Sequence, residues 1–293
     1  MKNKTVTLIL ALLFVIGLSL LLYPTVSDAW NSLHQSRAIA GYAEAVAQID
    51  GAQYDRLWAD ARAYNAALIG DEDRLTPTEA DTARYNSLLD AAGNGILGYI
   101  EIPAIGVSLP IYHGTADTVL QIAIGHIEGT SLPVGGPGTH CVVSGHRGLP
   151  SAKLFTDLDK LEIGDTFLLR VLDEVLTYEV DAIHIVEPHE VELLAIEPGQ
   201  DLCTLVTCTP YGVNSHRLLV RGRRVENEES APAVRITADA MQIDPVLVAP
   251  AVAAPMLGVL FLALLLRTRR RKPKKQKQPE KSGENPEERG PNE

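Results

Sequence analysis

The stretch TLVTCTPYGVNSHRLLVRGRR (204–224) sets one of the chain's three cysteines, Cys208, nine positions before Arg217. A thiol of this kind does covalent chemistry as the thiolate, and a guanidinium beside it can hold that thiolate or the oxyanion of an acyl intermediate. A nucleophilic cysteine also needs a proton carrier, normally histidine. The chain has eight histidines, and His146 in THCVVSGHRGLPSAKLF (139–155) stands out because it follows a β-rich run and sits among glycines that let a backbone approach closely. Together these residues could supply a cysteine nucleophile, its proton carrier and an anion-holding arginine, and spacing alone leaves that open.

Side-chain parity supports the grouping. In DLCTLVTC (201–208), Thr204, Val206 and Cys208 share one face of an extended strand, and Cys208 ends it where Pro210 and Gly212 turn the chain. In the returning SHRLLVRGR, Arg217, Leu219 and Arg221 share a face while His216 takes the other, so pairing of the two strands sets Arg217 beside Cys208 and leaves His216 out. From spacing alone, Cys208 is either this nucleophile or an inert cysteine of a β core. His113, His126 and His140 read as structural, satisfying backbone groups at strand ends. Cys203 and Cys208 lie too far apart along one strand to bond each other. Cys141 and Cys203 either pair across neighbouring strands or stay as two buried thiols, and three cysteines leave at least one free.

The elements that must position these groups change character near residue 95. Before it, apolar residues from Ala29 to Gly70 recur at helical spacing, with Asp50-Gly51 marking a break between two helices. GDEDRL (70–75) reads as an acidic loop. TPTEADTARYNSLLDAAGNG (76–95) reads as a helix with a Thr76/Glu79 capping box and Pro77 in its first position. After Gly95 come short β-branched or alternating runs near 96–102, 105–111, 139–144, 165–171, 175–186, 202–208 and 216–223, with short helices near 117–122 and 151–160. Many short strands at this spacing imply a mainly β sandwich or barrel.

The 293 residues, 46% apolar and 22% charged, suit a globular core, but the ends are different. Residues 5–23, TVTLILALLFVIGLSLLLY, carry no charge and are long enough to span a bilayer; no convincing small-x-small cleavage site follows, so an uncleaved helix is expected. A second uncharged run, 245–266, ends at RTRRRKPKKQK, where eight of residues 267–277 are Lys or Arg. Those cations, with Lys2 and Lys4, place both termini on the cytoplasmic side and residues 24–244 outside the membrane. The outer part holds 32 Asp or Glu against 14 Lys or Arg, which argues against nucleic acid as a partner and leaves the lipid bilayer as one.

The long matches TLVTCTPYGVNSHRLLVRGRR, NGILGYIEIPAIGVSLPIYHGT (94–115), GHIEGTSLPVGG (125–136) and SGHRGLPSAKLFTDLDKL (144–161) resemble the sortases, and TCTPYG followed by SHRLLVRG is similar to their pilus-building class C group. The resemblance implies a sortase-type closed β-barrel with short helices, preceded by an N-terminal helical region and flanked by two transmembrane helices. The domains become 1–4 cytoplasmic, 5–23 membrane helix, 24–94 extracellular helical region with a lid in 70–94, 95–225 catalytic barrel, 226–244 linker, 245–266 membrane helix and 267–293 cytoplasmic tail. It implies a cysteine transpeptidase with Cys208 as nucleophile, His146 as proton carrier and Arg217 as oxyanion support, using no cofactor and no metal. Its partners would be pilin subunits or other surface proteins with an LPxTG-like signal, cleaved through a thioester and passed to a lysine amine of another pilin. Anchoring to peptidoglycan, hydrolysis by a Cys-His peptidase and an inactive scaffold are the alternatives. Class C sortases commonly carry an Asp-Pro-aromatic lid motif; here the region reads GDEDRLTPTEADTARY, with Asp73 and Leu75 as substitute lid candidates.

Overall fold

The computed structural model describes residues 2–227 together with Gly258 and Phe261. Apart from those two positions, the second apolar run at 245–266 lies outside the described residues, as do the tail 267–293 and nearly all of the linker expected at 226–244.

Three helices precede the sheet. The first, α1 (Lys2–Ala47), is one unbroken helix through Pro24, where a membrane helix at 5–23 and a separate helix from Ala29 were expected. Its Thr5–Ala47 portion is long and apolar enough to cross a bilayer, with a most apolar window of mean hydropathy 2.8 and none of that window buried. Leu20 and Leu21 leave more than 70% of their surface open, which no core helix does. Farther along, α1 changes role and docks on the sheet. Asn31 donates to the Ser151 carbonyl at 2.7 Å and Gln35 to that of Ile122 at 2.6 Å. Tyr42, fully buried, donates to the Leu97 carbonyl at 3.1 Å and accepts from the Leu172 N–H at 2.7 Å.

The break near Asp50 is present: its carboxylate accepts the Gln53 N–H at 2.7 Å and caps α2 (Gly51–Ala67). That helix buries Trp58, Ala61, Tyr64 and Asn65, and Asn65 exchanges two hydrogen bonds with the backbone of Leu132. In α3 (Glu79–Asn86) the capping box falls two residues later than expected. Thr78 caps with Asp81, because the Thr76 hydroxyl is already donating to the Asp73 carbonyl at 2.9 Å.

Eight strands follow among the described residues: β1 (Ile96–Ile102), β2 (Val107–His113), β3 (Ile124–His126), β4 (Thr139–Ser144), β5 (Thr166–Val171), β6 (Glu174–Val186), β7 (Asp201–Thr209) and β8 (His216–Arg224). They close in the order β1-β2-β3-β4-β7-β8-β6-β5, so the barrel is realised rather than the sandwich. Closure leaves no free sheet edge. The pairs β2/β3 and β4/β7 are parallel and the rest antiparallel. Between β2 and β3 the expected helix is α4 (Asp117–Leu120). The expected helix at 151–160 is instead a series of turns ending in the 3-10 turn Leu158–Lys160. Leu154, Phe155 and Leu158 all bury there, and Leu154 adopts φ +39°, which no right-handed helix accommodates.

Inside the barrel, alternate residues such as Ile100, Ile111, Val143, Phe167, Tyr178, Cys203, Leu205 and Val220 form the core. On the outer face a smaller cluster joins Val142, Val206 and Leu219 to Leu194 from the β6–β7 connection. Burying each of these contributes about 1.5–3 kcal/mol. The smaller cluster fixes that connection over β4, β7 and β8.

Candidate active site

The ends of β4, β7 and β8 meet on this outer face. In the antiparallel β7/β8 pair, Cys208 lies directly opposite Arg217, and Thr209 opposite His216. Cys208 has the parity of Val206, so its thiol belongs to the face floored by the outer apolar cluster. It is half-buried, as is Arg217, so both remain reachable. The turn between them is tight: the peptide Thr209–Pro210 is cis, and the Pro210 carbonyl accepts from Val213 and Asn214 at 3.1 and 2.9 Å. Arg217 donates to the carbonyls of Asn214 and His216 at 3.3 and 3.1 Å, which braces its guanidinium over that turn.

His146 is brought alongside by the parallel ladder. Ser144 pairs with Val206, and the Gly145 N–H continues the ladder by donating to the Val206 carbonyl at 3.0 Å. The Thr207 hydroxyl closes on the Gly145 carbonyl at 2.7 Å. Two residues on from the Ser144–Val206 pair, the two chains reach His146 and Cys208. His146 is half-buried, and its carbonyl accepts from Phe155 at 3.1 Å, anchoring the loop that follows.

His216 stands apart, paired with Thr209 and hydrogen-bonded through Nδ1 to the Ser215 hydroxyl at 2.8 Å. The three histidines read as structural are occupied within the fold. His140 bonds the Ala195 carbonyl and the Thr204 hydroxyl, each at 2.7 Å, and burial holds its imidazole below the ordinary value. His126 bonds the Tyr85 hydroxyl at 2.8 Å and the Ser131 carbonyl at 2.9 Å. His113 bonds the carbonyls of Gly95 and Leu88, and burial lowers its pKa too.

Two arginines that the sequence did not single out tie loops to these strands, Arg147 at the site and Arg74 farther down the outer face. Arg147, next to His146, donates to the Thr209 hydroxyl at 3.3 Å, pairs with Asp159 and lies over the Tyr211 ring at 6.0 Å. It thereby joins the loop carrying His146 to the residue after Cys208. Arg74 lies in the acidic stretch and donates to the carbonyls of Gly129 at 2.7 Å and Leu194 at 2.9 Å. Gly129 adopts φ +81°, and a Cβ there would overlap the Arg74 carbonyl, so this backbone contact requires glycine. Of the lid candidates, Leu75 is half-buried against Gly129, while Asp73 is exposed and its carboxylate makes no hydrogen bond or ion pair among the described residues. A cavity of about 540 Å³ opens at the far end of β7 and β8, lined by Arg62, Asp201 and Arg224, away from Cys208.

A model of the Sortase domain matches residues 100–225. Among solved structures, sortase C1 from Streptococcus agalactiae is 48% identical, with a TM-score of 0.63 and coverage of 66% of this chain and 100% of that one. Streptococcus pneumoniae sortase C, whose pilin substrate specificity has been addressed structurally, is 45% identical with a TM-score of 0.57, covering 65% of this chain and 97% of its own. Sortase A of Streptococcus agalactiae serotype III (strain NEM316) is 26% identical over 205 residues, 69% of this chain and 77% of the relative. With the whole of a solved sortase C1 matched at nearly half identity, and a closed barrel beneath the match, this chain belongs to the sortase family, in its class C group, and is a cysteine transpeptidase.

Proposed function

We propose that the enzyme cleaves an LPxTG-like sorting signal through a thioester on Cys208 and passes the acyl group to a lysine amine of another pilin subunit, lengthening a pilus. The observation that carries this reading is the register that sets Cys208 opposite Arg217 with His146 on the adjoining strand end. The Cys208 thiolate attacks the Thr carbonyl of the signal, and the tetrahedral intermediate puts negative charge on the carbonyl oxygen. The Arg217 guanidinium donates to that oxygen. Collapse breaks the Thr–Gly bond as His146 gives a proton to the departing glycine amine. The incoming lysine amine then attacks the thioester, His146 takes its proton, and an isopeptide bond forms as the Cys208 thiolate is released. A thioester conserves the energy of the cleaved peptide bond, so the transfer needs no nucleotide outside the cell.

Location follows the same reading. The first nineteen apolar residues of α1 from Thr5 anchor the chain, 245–266 form the second span, both termini are cytoplasmic, and the barrel works outside. Residues 70–94 act as a lid, with Asp73 and Leu75 on either side of Arg74, whose bonds to the Gly129 and Leu194 carbonyls support the reading by holding the segment on the barrel.

The test incubates the full chain in detergent with a sorting-signal peptide and a lysine-bearing pilin domain, and follows both by mass. A thioester on Cys208 and an isopeptide-linked product are expected. Transfer to a cell-wall stem-peptide amine in place of pilin lysine would make the enzyme a wall-anchoring sortase. Acyl-enzyme lost only to water would make it a peptidase.

A further inference from the structure

The mechanism uses one of three cysteines, and the other two face each other. Cys141 on β4 and Cys203 on β7 are directly opposite in the parallel ladder. Neighbouring strands run about 4.8 Å apart, within the span that a disulfide bridges between Cα atoms. Both side chains point to the same side: Cys141 is 2% exposed, Cys203 is fully buried, and both belong to the barrel core. Cys208, of opposite parity, faces outward and cannot reach either of them.

We propose that Cys141 and Cys203 form a disulfide in the exported, folded enzyme, a covalent cross-link inside the barrel that leaves Cys208 as the single free thiol. No oxidant reaches these sulfurs once the barrel has closed, so the bond is made during folding. The oxidant is an extracytoplasmic thiol–disulfide oxidoreductase in its disulfide form. One thiolate of the pair attacks that disulfide to give a mixed disulfide and release one oxidoreductase thiol. The second thiolate attacks the mixed disulfide, forming the Cys141–Cys203 bond and releasing the other. The enzyme's cysteines lose two electrons and two protons, and the oxidoreductase ends as a dithiol.

The placement has a consequence for the site. The cross-link ties the strand that leads into His146 to the strand that ends at Cys208, three pairs below the point where the ladder reaches Ser144 and Val206. It also closes a loop of roughly 60 residues that includes β5 and β6, which limits the unfolded chain. Burial pushes the Cys203 thiol well up, while at Cys141 burial is outweighed by hydrogen bonds with Cys203 and His126, which lower its thiol; with both sulfurs enclosed in the barrel, neither reaches substrate and the reduced pair does not compete with Cys208.

The test takes the full chain from membranes of a host that exports it, unfolds it without reductant and alkylates it. One modified cysteine, Cys208, is expected before reduction and three after it, together with a digest fragment joining Cys141 to Cys203 that is lighter than the reduced pair by two hydrogens. Melting in detergent should fall by roughly 10 °C with a strong reductant. The Cys141→Ala/Cys203→Ala variant should be insensitive to reductant while still forming the thioester. Three alkylated cysteines without reduction, or a linkage that includes Cys208, would overturn the proposal. So would a wild-type melting temperature that reductant leaves unchanged.

Discussion

The mouth of the barrel and the strap at residues 70–78 lie on the same face but are held in different ways. At the mouth, His146, Cys208 and Arg217 are set by strand register, with ladder bonds on β4, β7 and β8 and added ties from Thr207 and Arg147. No single side chain decides where those three residues sit. The strap has no ladder. Its side-chain attachment to the barrel is Arg74, reaching two backbone carbonyls that are 55 and 120 residues away in the chain. An over-determined backbone lets substitutions at the mouth report on chemistry, whereas substitutions in the strap report on position.

The largest effect is expected at Cys208. Cys208→Ala removes the nucleophile and almost no volume, so thioester formation and transfer should vanish while the melting temperature stays within a few degrees of the parent. Measurable transpeptidation by that variant would falsify the mechanism. Next comes His146→Ala, for which loss of the proton carrier should lower kcat/KM by about 10²–10⁴-fold with little change in melting. His216→Ala, paired with Thr209 and bonded to Ser215, should cost stability more than rate. Equal catalytic losses in the two variants at equal melting temperature would move the proton carrier to the other histidine. Arg217→Lys is expected to be slower by roughly 10–100-fold, because an ammonium keeps the charge but not the planar fork. Near-normal kcat/KM for the lysine variant would reduce the role of Arg217 to charge alone.

The same contrast explains which features are legible in the chain alone. Strand positions after Gly95 follow from short alternating runs, and parity along 201–208 and 216–223 is a local property, so the pairing of Cys208 with Arg217 needs only the assumption of a hairpin. Three-residue β3 escapes such a reading because so short a run shows no periodicity. The helix expected at 151–160 gives way to turns because Leu154 takes φ +39°, a backbone choice that its apolar spacing to Phe155 and Leu158 does not reveal. Pattern favours Thr76 over Thr78 as a cap because the competing bond from Thr76 to Asp73 is invisible in a string of residue types. Arg74 and Arg147 stay hidden for a related reason. Their partners are carbonyls, a hydroxyl and a carboxylate far along or across the chain, and nothing in DEDRL or GHRG specifies them.

The smallest expected effect lies in the strap. Arg74 bonds the Leu194 carbonyl, and Leu194 packs with Val206 on the same outer face that carries Cys208 two residues later. Under the proposed lid role, a strap held there would narrow the approach to the thiol without plugging it, since no Asp-Pro-aromatic motif is present and Asp73 is exposed. Asp73→Ala with Leu75→Ala should therefore raise the rate at which a small thiol reagent modifies Cys208 by less than the tenfold that about 1.4 kcal/mol of lost closure would give. Arg74→Ala should raise it further than that pair does, because it strands two carbonyl groups and frees the whole segment. The measurement is a labelling time course on the full chain, with the modified peptide identified and each variant's melting checked. A larger increase from the Asp73/Leu75 pair than from Arg74→Ala would put closure in side-chain contacts over the thiol. Unchanged rates in both would mean that the strap braces the β6–β7 connection and does not govern access to Cys208.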